Sequence, residues 1–302
     1  MRTLGTRSQR SLAESAVVEG VGFITGARVQ VRFLPAPADT GIVFRRTDLP
    51  GKPEYPALAD SVTDTARRTT LGPAHAGITL IEHVMAALGG LRVDNCTVEV
   101  NGAELPGLDG SARGFADAIL AAKIVVQSAR RPIRTPTRPI SIAFQGTTIS
   151  IHPAERPGLT ATYFLDYGLH APVPRQCFTC EVRPETFLND VADCRTFLTE
   201  SEAISIRDMG IGKHLTAHDV IVFGARGVKD NSLRFADEPA RHKVLDMIGD
   251  LALCGFDLAG HVVAYRSGHA MNVELARRLL QAATPTASIP MTARMATARR
   301  AA

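Results

Sequence analysis

The chain has 302 residues, of which 45% are hydrophobic and 21% are charged, and its formal net charge is +4. This length accommodates one large domain or two domains of about 150 residues, and the apolar fraction excludes wholesale disorder. Tryptophan is absent and aromatic residues make up 5% of the chain, so the small positive charge predicts no nucleic-acid partner.

The sequence also indicates a cellular location. No run reaches the roughly 18 apolar residues of a transmembrane helix, and the first twenty residues lack the apolar segment of a secretory signal. An odd, scattered set of five cysteines is typical of reduced thiols, which predicts a cytoplasmic protein. Two of them form a CxxC in a segment with strand character, where positions three apart face opposite ways, so no metal site is expected there. The cysteines are Cys96, Cys177, Cys180, Cys194 and Cys254.

The first half combines strands with two helices. Its clearest strand is RVQVRFL, in which polar and apolar residues alternate. A helix is predicted over TLIEHVMAALGG, where Thr79 and Glu82 fit a capping box and the glycine pair ends the helix. In chain order the predicted elements are strands at 28–34 and 41–46, a helix at 79–90, a strand at 93–100 and a helix at 111–124.

The second half repeats this order of strands followed by helices. RRPIRTPTRP, at 130–139, carries three prolines and is the predicted linker between the halves. Asp237 is the predicted cap of a long helix with Pro239 in its first turn, and the segment after about 284 is predicted to be loose. The predicted strands lie near 138–144, 148–152, 159–167, 176–182, 219–224 and 261–266, and the helices near 184–189, 200–209, 237–254 and 267–283.

This order of elements predicts an α+β protein. Strands grouped with strands, and helices following them, indicate two similar two-layer domains, each a β-sheet covered by two packed helices. The predicted domains are 1–127 and 128–302.

The strongest chemical signal is RHKVLDMIGD, at 241–250. His242, Asp246 and Asp250 follow one another at intervals of four, so they project from one side of a helix. A histidine and a carboxylate one turn apart can bind one metal ion. The alternative is a surface histidine with solvated acids.

Two further histidines stand at positions suited to a site. His83 follows Glu82 on the first helix, so the histidine could bind a metal while the carboxylate acts as a base. The alternatives are a helix cap for Glu82 and a hydrogen-bonded, half-buried imidazole for His83. His269, in SGHAMN, lies where a strand turns into a helix, a position that also suits a plain cap-region residue.

Taken together, His83, His242 and Asp246 form a set of two histidines and one carboxylate. Three protein ligands leave the fourth tetrahedral position open, as in a catalytic zinc site, and the same set could hold iron(II). GVGFITG and GIGKH resemble phosphate-binding loops, but their spacing and context do not fit one.

An ordered series of motifs from about residue 10 to 283 resembles the UDP-3-O-acyl-N-acetylglucosamine deacetylase family, zinc amidases of lipid A biosynthesis. The resemblance implies two similar α+β domains with the active site at their interface. It also implies an N-deacetylase that acts on an acylated UDP-amino-sugar and binds no nucleic acid, and we expect a monomer. The motifs are GVGFITG, PAPADTGIVFRRTDLP, TLIEHVMAALGGLRVDN, VEVNGAELPGLDGSA, CRTF, LRFADE, RHKVLDMIGDLALCG and AYRSGHAMN.

The resemblance implies catalytic roles for five residues, besides zinc bound by the three ligands named above. Glu82 would be the general base, and His269, held by Asp250, the general acid. Thr196, in CRTF, would donate a hydrogen bond to the developing oxyanion, and Lys243 would be a further polar group of the site.

The resemblance also implies where the substrate binds. Phe197 would line the substrate region, and Arg266 would present a cation to the diphosphate. The segment 198–223 corresponds to the passage for the acyl chain.

The chain departs from the family pattern around the substrate. Ile24 replaces a histidine of the family pattern, and Arg266 replaces a lysine. His214-Leu215-Thr216, before DVIVFG, replaces a Gly-Gly-Ser segment. Ala236, in LRFADE, replaces an acidic residue. These changes leave two alternatives open. One is the same amidase chemistry on a different acylated amino-sugar or nucleotide-linked substrate, and the other is a non-catalytic homologue that binds a sugar nucleotide or an acyl chain.

Overall fold

The structure is a computed structural model that describes residues 1–283 of the chain. Its helices are α1 (Glu82–Gly90), α2 (Arg113–Ala121), α3 (Pro184–Thr186), α4 (Glu200–Asp208), α5 (Glu238–Ala252) and α6 (His269–Ala283), with a 3-10 turn at Ala59–Ser61 and a π-turn at Phe187–Val191. Its strands are β1 (Arg2–Leu12), β2 (Ala16–Val21), β3 (Arg28–Pro35), β4 (Ile42–Arg46), β5 (Glu54–Pro56), β6 (Val62–Asp64), β7 (Thr70–Leu71), β8 (Ile78–Thr79), β9 (Cys96–Val100), β10 (Ile124–Thr135), β11 (Ile140–Phe144), β12 (Thr147–His152), β13 (Leu159–Leu165), β14 (Gln176–Glu181), β15 (Phe197–Thr199), β16 (Ile221–Gly224), β17 (Gly227–Val228), β18 (Asp257–Leu258) and β19 (Gly260–Tyr265).

The first half is built on a five-stranded sheet in the order β2-β3-β9-β4-β5. Alternation along β3 buries Val29, Val31 and Phe33 on one face and exposes the residues between them. The helix α2 packs on that face, where the rings of Phe33 and Phe115 meet edge to face at 6.5 Å. The strand predicted from the polar–apolar alternation at 28–34 is confirmed.

The second half repeats this two-layer arrangement on a sheet in the order β11-β12-β19-β13-β14. Its buried face carries Ile149, Ile151, Val262 and Ala264. The helix α5 packs on β13 and β14, and α6 packs on β11 and β12. Two sheets, each covered by helices on one face, confirm the predicted α+β fold class.

The two halves meet where α1 packs against α5. The contact is close because Gly249 of α5 has no side chain: a Cβ at this position would lie 2.1 Å from the backbone oxygen of Glu82. A Cβ at Gly89 of α1 would lie 3.1 Å from the Cβ of Ala252 of α5. This helix pair places residues from both halves side by side.

A third sheet joins the ends of the halves in the order β1-β10-β18. The strand β10 pairs antiparallel with β1 over most of its length, so the linker predicted at 130–139 is wrong for residues 130–135. Backbone pairing with β1 outweighs the turn preference of the prolines. The local sequence did not indicate this pairing. The predicted boundary between 127 and 128 falls within this strand, and the division into two domains stays a prediction.

Two small sheets flank the place where α1 meets α5. One has the order β6-β7-β8 and precedes α1, and the other has the order β15-β16-β17 and surrounds α4. Within residues 1–283, none of the helices combines the length and the apolar character needed to cross a bilayer. The tail predicted to be loose after about 284 lies outside the described residues.

Neither predicted capping residue makes a side-chain cap bond at its helix start. Thr79 does not cap α1, because its hydroxyl pairs with that of Thr70 at 2.8 Å and the helix begins at Glu82. Asp237 precedes α5 as predicted, with Pro239 in the first turn, but makes no side-chain cap bond. Its carboxylate accepts instead from Nε of Arg241 at 2.6 Å.

Candidate metal centre and active site

One histidine from the first half and two residues from the second converge where α1 meets α5. His83 lies on α1, and His242 and Asp246 lie one turn apart on α5. One ligand atom of each residue lies within 4.8 Å of the other two. Asp246 Oδ1 is 3.3 Å from Nε2 of His242 and 3.7 Å from Nε2 of His83.

The surroundings of these side chains fit a divalent metal ion. His242 Nδ1 lies 3.0 Å from the carbonyl oxygen of Cys194, which fixes the ring with Nε2 toward the other two residues. Burial lowers the pKa of His242 to about 3, so the imidazole is neutral. Burial opposes ionisation of Asp246, yet the charge of Lys243, 2.9 Å away, helps to keep the pKa of this carboxyl well below its usual range. Two imidazoles and a carboxylate are the donors of many catalytic metal sites.

Glu82 begins α1 directly before His83 and is 3% exposed. Its Oε2 accepts a hydrogen bond from the backbone N–H of Thr69 at 3.0 Å, and its Oε1 lies 3.9 Å from Nε2 of His269. Burial raises the pKa of Glu82, although the charges of His269 and His83 oppose the rise. A buried carboxylate with a raised pKa suits a general base.

His269 lies at the first position of α6 and pairs with Asp250 of α5. Its Nδ1 is 2.9 Å from Asp250 Oδ2, which also accepts from Asn272 Nδ2 at 3.0 Å. Burial lowers the pKa of His269, but the carboxylates of Asp250 and Glu82 outweigh that effect and raise it to about 9. The imidazole therefore carries a proton at neutral pH.

Glu82, His269 and the three candidate ligands line a cavity of about 850 Å³ between the halves. Thr196 lies on its wall with its backbone held in place, because its N–H donates to Gly110 and its carbonyl accepts from Ile221. Lys243 also lines the cavity, with its ammonium 5.6 Å from the ring centroid of Phe197.

The remaining predicted substrate residues lie in different places. Ile24 and Arg266 line the cavity, as does Leu215. The imidazole of His214 instead lies 2.9 Å from the carbonyl oxygen of Gly22. Thr216 and Ala236 are not among the lining residues, and Ala236 is exposed on the outer surface.

The segment predicted to form an acyl passage supplies an apolar arm of the cavity. It includes β15, α4 and the loop that leads to β16, and its side chains that line the cavity are apolar except for Glu202. The residues from this segment that line the cavity include Leu198, Ile206, Met209, Ile211, Leu215 and Val220.

The two cysteines of the CxxC segment face opposite sides of a strand, as predicted. Cys177 is exposed and Cys180 is buried, on opposite faces of β14, and all five thiols are free.

Sequence reasoning missed three groups that hold the site together. Thr69 contacts both Glu82 and Asp250, and Asn272 is a second donor to Asp250. The third group is Glu238, fully buried, which binds the backbone and guanidinium of Arg195 beside Thr196. No local pattern marks a polar residue whose partners lie far along the chain, as Glu238 lies 43 positions from Arg195.

Comparison with known proteins identifies a family. The family model for UDP-3-O-acyl N-acetylglycosamine deacetylase (LpxC) matches residues 9–281. A protein of Myxococcus xanthus with the name UDP-3-O-acyl-N-acetylglucosamine deacetylase is 36% identical over 90% of this chain and 86% of its own. Proteins with the same name from Thermosynechococcus vestitus and Chlamydia caviae are 38% and 36% identical, over 94% and 99% of their own lengths.

Proposed function

This chain belongs to the UDP-3-O-acyl-N-acetylglucosamine deacetylase family, and from that premise we propose that it hydrolyses the N-acetyl group of UDP-3-O-acyl-N-acetylglucosamine. The products are acetate and the free amino-sugar, and the reaction is the committed step of lipid A biosynthesis. The observation that carries this proposal is the convergence of His83, His242 and Asp246 beside Glu82 on the wall of one cavity.

The three converging residues would hold a zinc ion. Two imidazoles and a carboxylate are suitable donors, and the backbone contact to His242 holds one of them in place. When bound, zinc would polarise the amide carbonyl and lower the pKa of water. Iron(II) accepts the same donors, and metal analysis of the purified protein distinguishes the two.

Glu82 would act as the general base. Its carboxylate lies beside the candidate ligands and inside the cavity, so it can take a proton from the water that attacks the acetyl carbon. The N–H of Thr69 holds one carboxylate oxygen and leaves the other toward His269. The group is thus fixed in direction before substrate binds.

His269 would act as the general acid. It is protonated at neutral pH and can give its proton to the leaving amine nitrogen, so that the product departs as a neutral amine. Asp250 orients the ring through Nδ1 and leaves Nε2 for the substrate. The Thr196 hydroxyl, on the cavity wall, would donate to the carbonyl oxygen as negative charge develops there.

The rest of the cavity would hold the two ends of the substrate. Arg266 presents a cation suited to a diphosphate, and Lys243 would be a further polar group of the site beside Asp246. Phe197 and the apolar arm would pack against the acyl chain, since apolar area removed from water favours binding. The free thiols accord with a cytoplasmic location, and a monomer remains our expectation.

The decisive experiment is mass-spectrometric detection of acetate release from UDP-3-O-acyl-N-acetylglucosamine, with and without a chelator. We expect turnover that chelation abolishes and added zinc restores. His83→Ala should lose both metal and turnover, whereas His75→Ala, at an exposed histidine outside the cavity, should keep both. Acetate release that survives complete metal removal would contradict the proposal.

A second candidate keeps the chemistry and changes the substrate. It is favoured by Ile24 and Arg266, which line the cavity and depart from the family pattern. Under this candidate another acylated amino-sugar would be deacetylated faster than UDP-3-O-acyl-N-acetylglucosamine. Competition between the two substrates in one assay decides between them. The non-catalytic alternative predicts no acetate from either.

A further inference from the structure

Thr69 contacts both Glu82 and Asp250, the partner of His269. These two carboxylates lie 13 and 181 positions away from Thr69 along the chain. It immediately precedes β7 and is 0% exposed. Its carbonyl oxygen accepts from the N–H of Ile81, the residue before α1. The backbone of Thr69 is therefore fixed against the start of the helix that carries Glu82.

Both hydrogen-bond donors of Thr69 contact carboxylates of the candidate site. Its N–H donates to Oε2 of Glu82 at 3.0 Å, and its hydroxyl donates to Oδ1 of Asp250 at 2.7 Å. The second oxygen of each carboxylate faces His269. Asp250 Oδ2 lies 2.9 Å from Nδ1 of that ring, and Glu82 Oε1 lies 3.9 Å from Nε2.

The four residues form a closed ring of contacts that runs from Thr69 to Glu82, His269, Asp250 and back. A carboxylate held at one oxygen can still turn about its side-chain bonds. Holding both oxygens fixes the plane of the group and therefore the direction in which it presents its free lone pairs. Thr69 supplies this second contact to both carboxylates at once.

We infer that Thr69 is a positioning residue that sets the relative placement of Glu82 and the His269–Asp250 pair. The inference rests on the proposed function, because it assigns these groups to one reaction. Thr69 lies behind the carboxylates and is absent from the cavity lining, so it does not meet the substrate. Misplacement of reacting groups by about 1 Å can cost on the order of 100-fold in rate.

The test compares Thr69→Ala with Thr69→Ser, a pair of variants that differ by one hydroxyl. We expect the alanine variant to lose at least about 10-fold in kcat, with KM within about 2-fold and metal content unchanged. The serine variant should restore kcat to within about 3-fold of the parent. Thr162→Ala is the matched control, since Thr162 is a buried threonine whose hydroxyl bonds lie outside the cavity.

Equal kcat values in the alanine and serine variants would overturn the inference, because a purely structural threonine would affect stability and not the chemical step. If Thr69→Ala does not fold, Thr69→Val serves the same comparison, since it keeps the shape of the side chain without the hydroxyl. An inactive parent protein would instead overturn the proposed function, and the inference with it. An active parent with equal variants overturns the inference alone.

Discussion

At Glu82, burial and neighbouring charge act on one carboxyl in opposite directions. Burial raises its pKa, and the charges of His269 and His83 limit the rise. His269 shows the reverse balance, since burial lowers its pKa and two carboxylates raise it to about 9. The His269 ring therefore carries its proton at neutral pH, as the acid of such a reaction requires.

Replacing Glu82 by glutamine should remove the base and keep the fold. We expect turnover to fall by about 10²–10⁴-fold, as is typical of a lost acid–base group, with the metal content unchanged. Glu14→Gln, at an exposed glutamate paired with Lys123, is the control and should keep full turnover. Steady-state kinetics with metal analysis measures both, and an active Glu82→Gln enzyme would remove this residue from the mechanism.

The pKa of His269 sets the upper pH limit of activity. Because the raised pKa is about 9, the ring stays protonated below that pH, and kcat/KM should fall as the pH rises through about 9. Any stability that the charged ring contributes is present in full below its ordinary pKa of about 6.5. That contribution is lost as the pH rises from there through about 9. His269→Gln should lower turnover and abolish this limb of the pH profile, and a limb that persists in the variant would assign it to another group.

At the scale of elements, the site depends on how closely α1 crosses α5. The ligand spacing on α5 is a local property, since His242 and Asp246 are one turn apart. The approach of His83 is not local, because it requires a glycine at the crossing. At Gly249 an added Cβ would meet backbone atoms of α1, which cannot move aside as a side chain can.

Gly249→Ala therefore tests the helix crossing. We expect a loss of roughly 1–3 kcal/mol in the free energy of unfolding, the usual cost of overpacking. Turnover should fall as well, because the backbone that must shift belongs to Glu82. Gly5→Ala, where an added Cβ meets nothing within 4 Å, is the control. Urea unfolding and acetate release are the measurements, and normal turnover in Gly249→Ala would show that the crossing tolerates the shift.

At the scale of the whole molecule, a cluster of two arginines and two aspartates connects β1 and β10 with β18 of the second half. Arg7 on β1 contacts both Asp94 and Asp257, at 2.6 and 2.5 Å. Arg131 on β10 contacts the same two carboxylates, at 2.9 and 2.8 Å. Asp94 is nearly buried, with 2% of its surface exposed. Because the partners lie far apart in sequence, this cluster exists only when the halves are in place.

Arg7→Met should be strongly destabilising for that reason. Removing one partner of a buried charge cluster leaves uncompensated charge, and we expect a loss of about 3 kcal/mol in the free energy of unfolding. Lys123→Met breaks the exposed pair with Glu14 and should cost no more than about 1 kcal/mol. Denaturant titration of both variants measures the difference, and equal losses would show that the cluster contributes no more than a surface pair.

The sequence by itself determined the features that depend on local pattern. The alternation of polar and apolar residues predicted strands such as 28–34, and helical periodicity predicted α5. The spacing of His242 and Asp246 placed two candidate ligands on one helix face. Helix position likewise marked Glu82 and His83, and motif resemblance then supplied the remaining predicted residues and their roles. These features are readable because side-chain direction in a strand or a helix repeats with a known period.

Only the tertiary structure decided how distant segments meet. Residues 130–135 form a strand because β1 supplies hydrogen-bond partners from more than a hundred residues away. Thr79 does not cap α1 because a neighbouring strand takes its hydroxyl. Thr69 reaches Asp250 across 181 positions of sequence. Contacts of this kind follow from the packing of whole elements, and local sequence pattern carries no information about which distant group will complete a hydrogen bond.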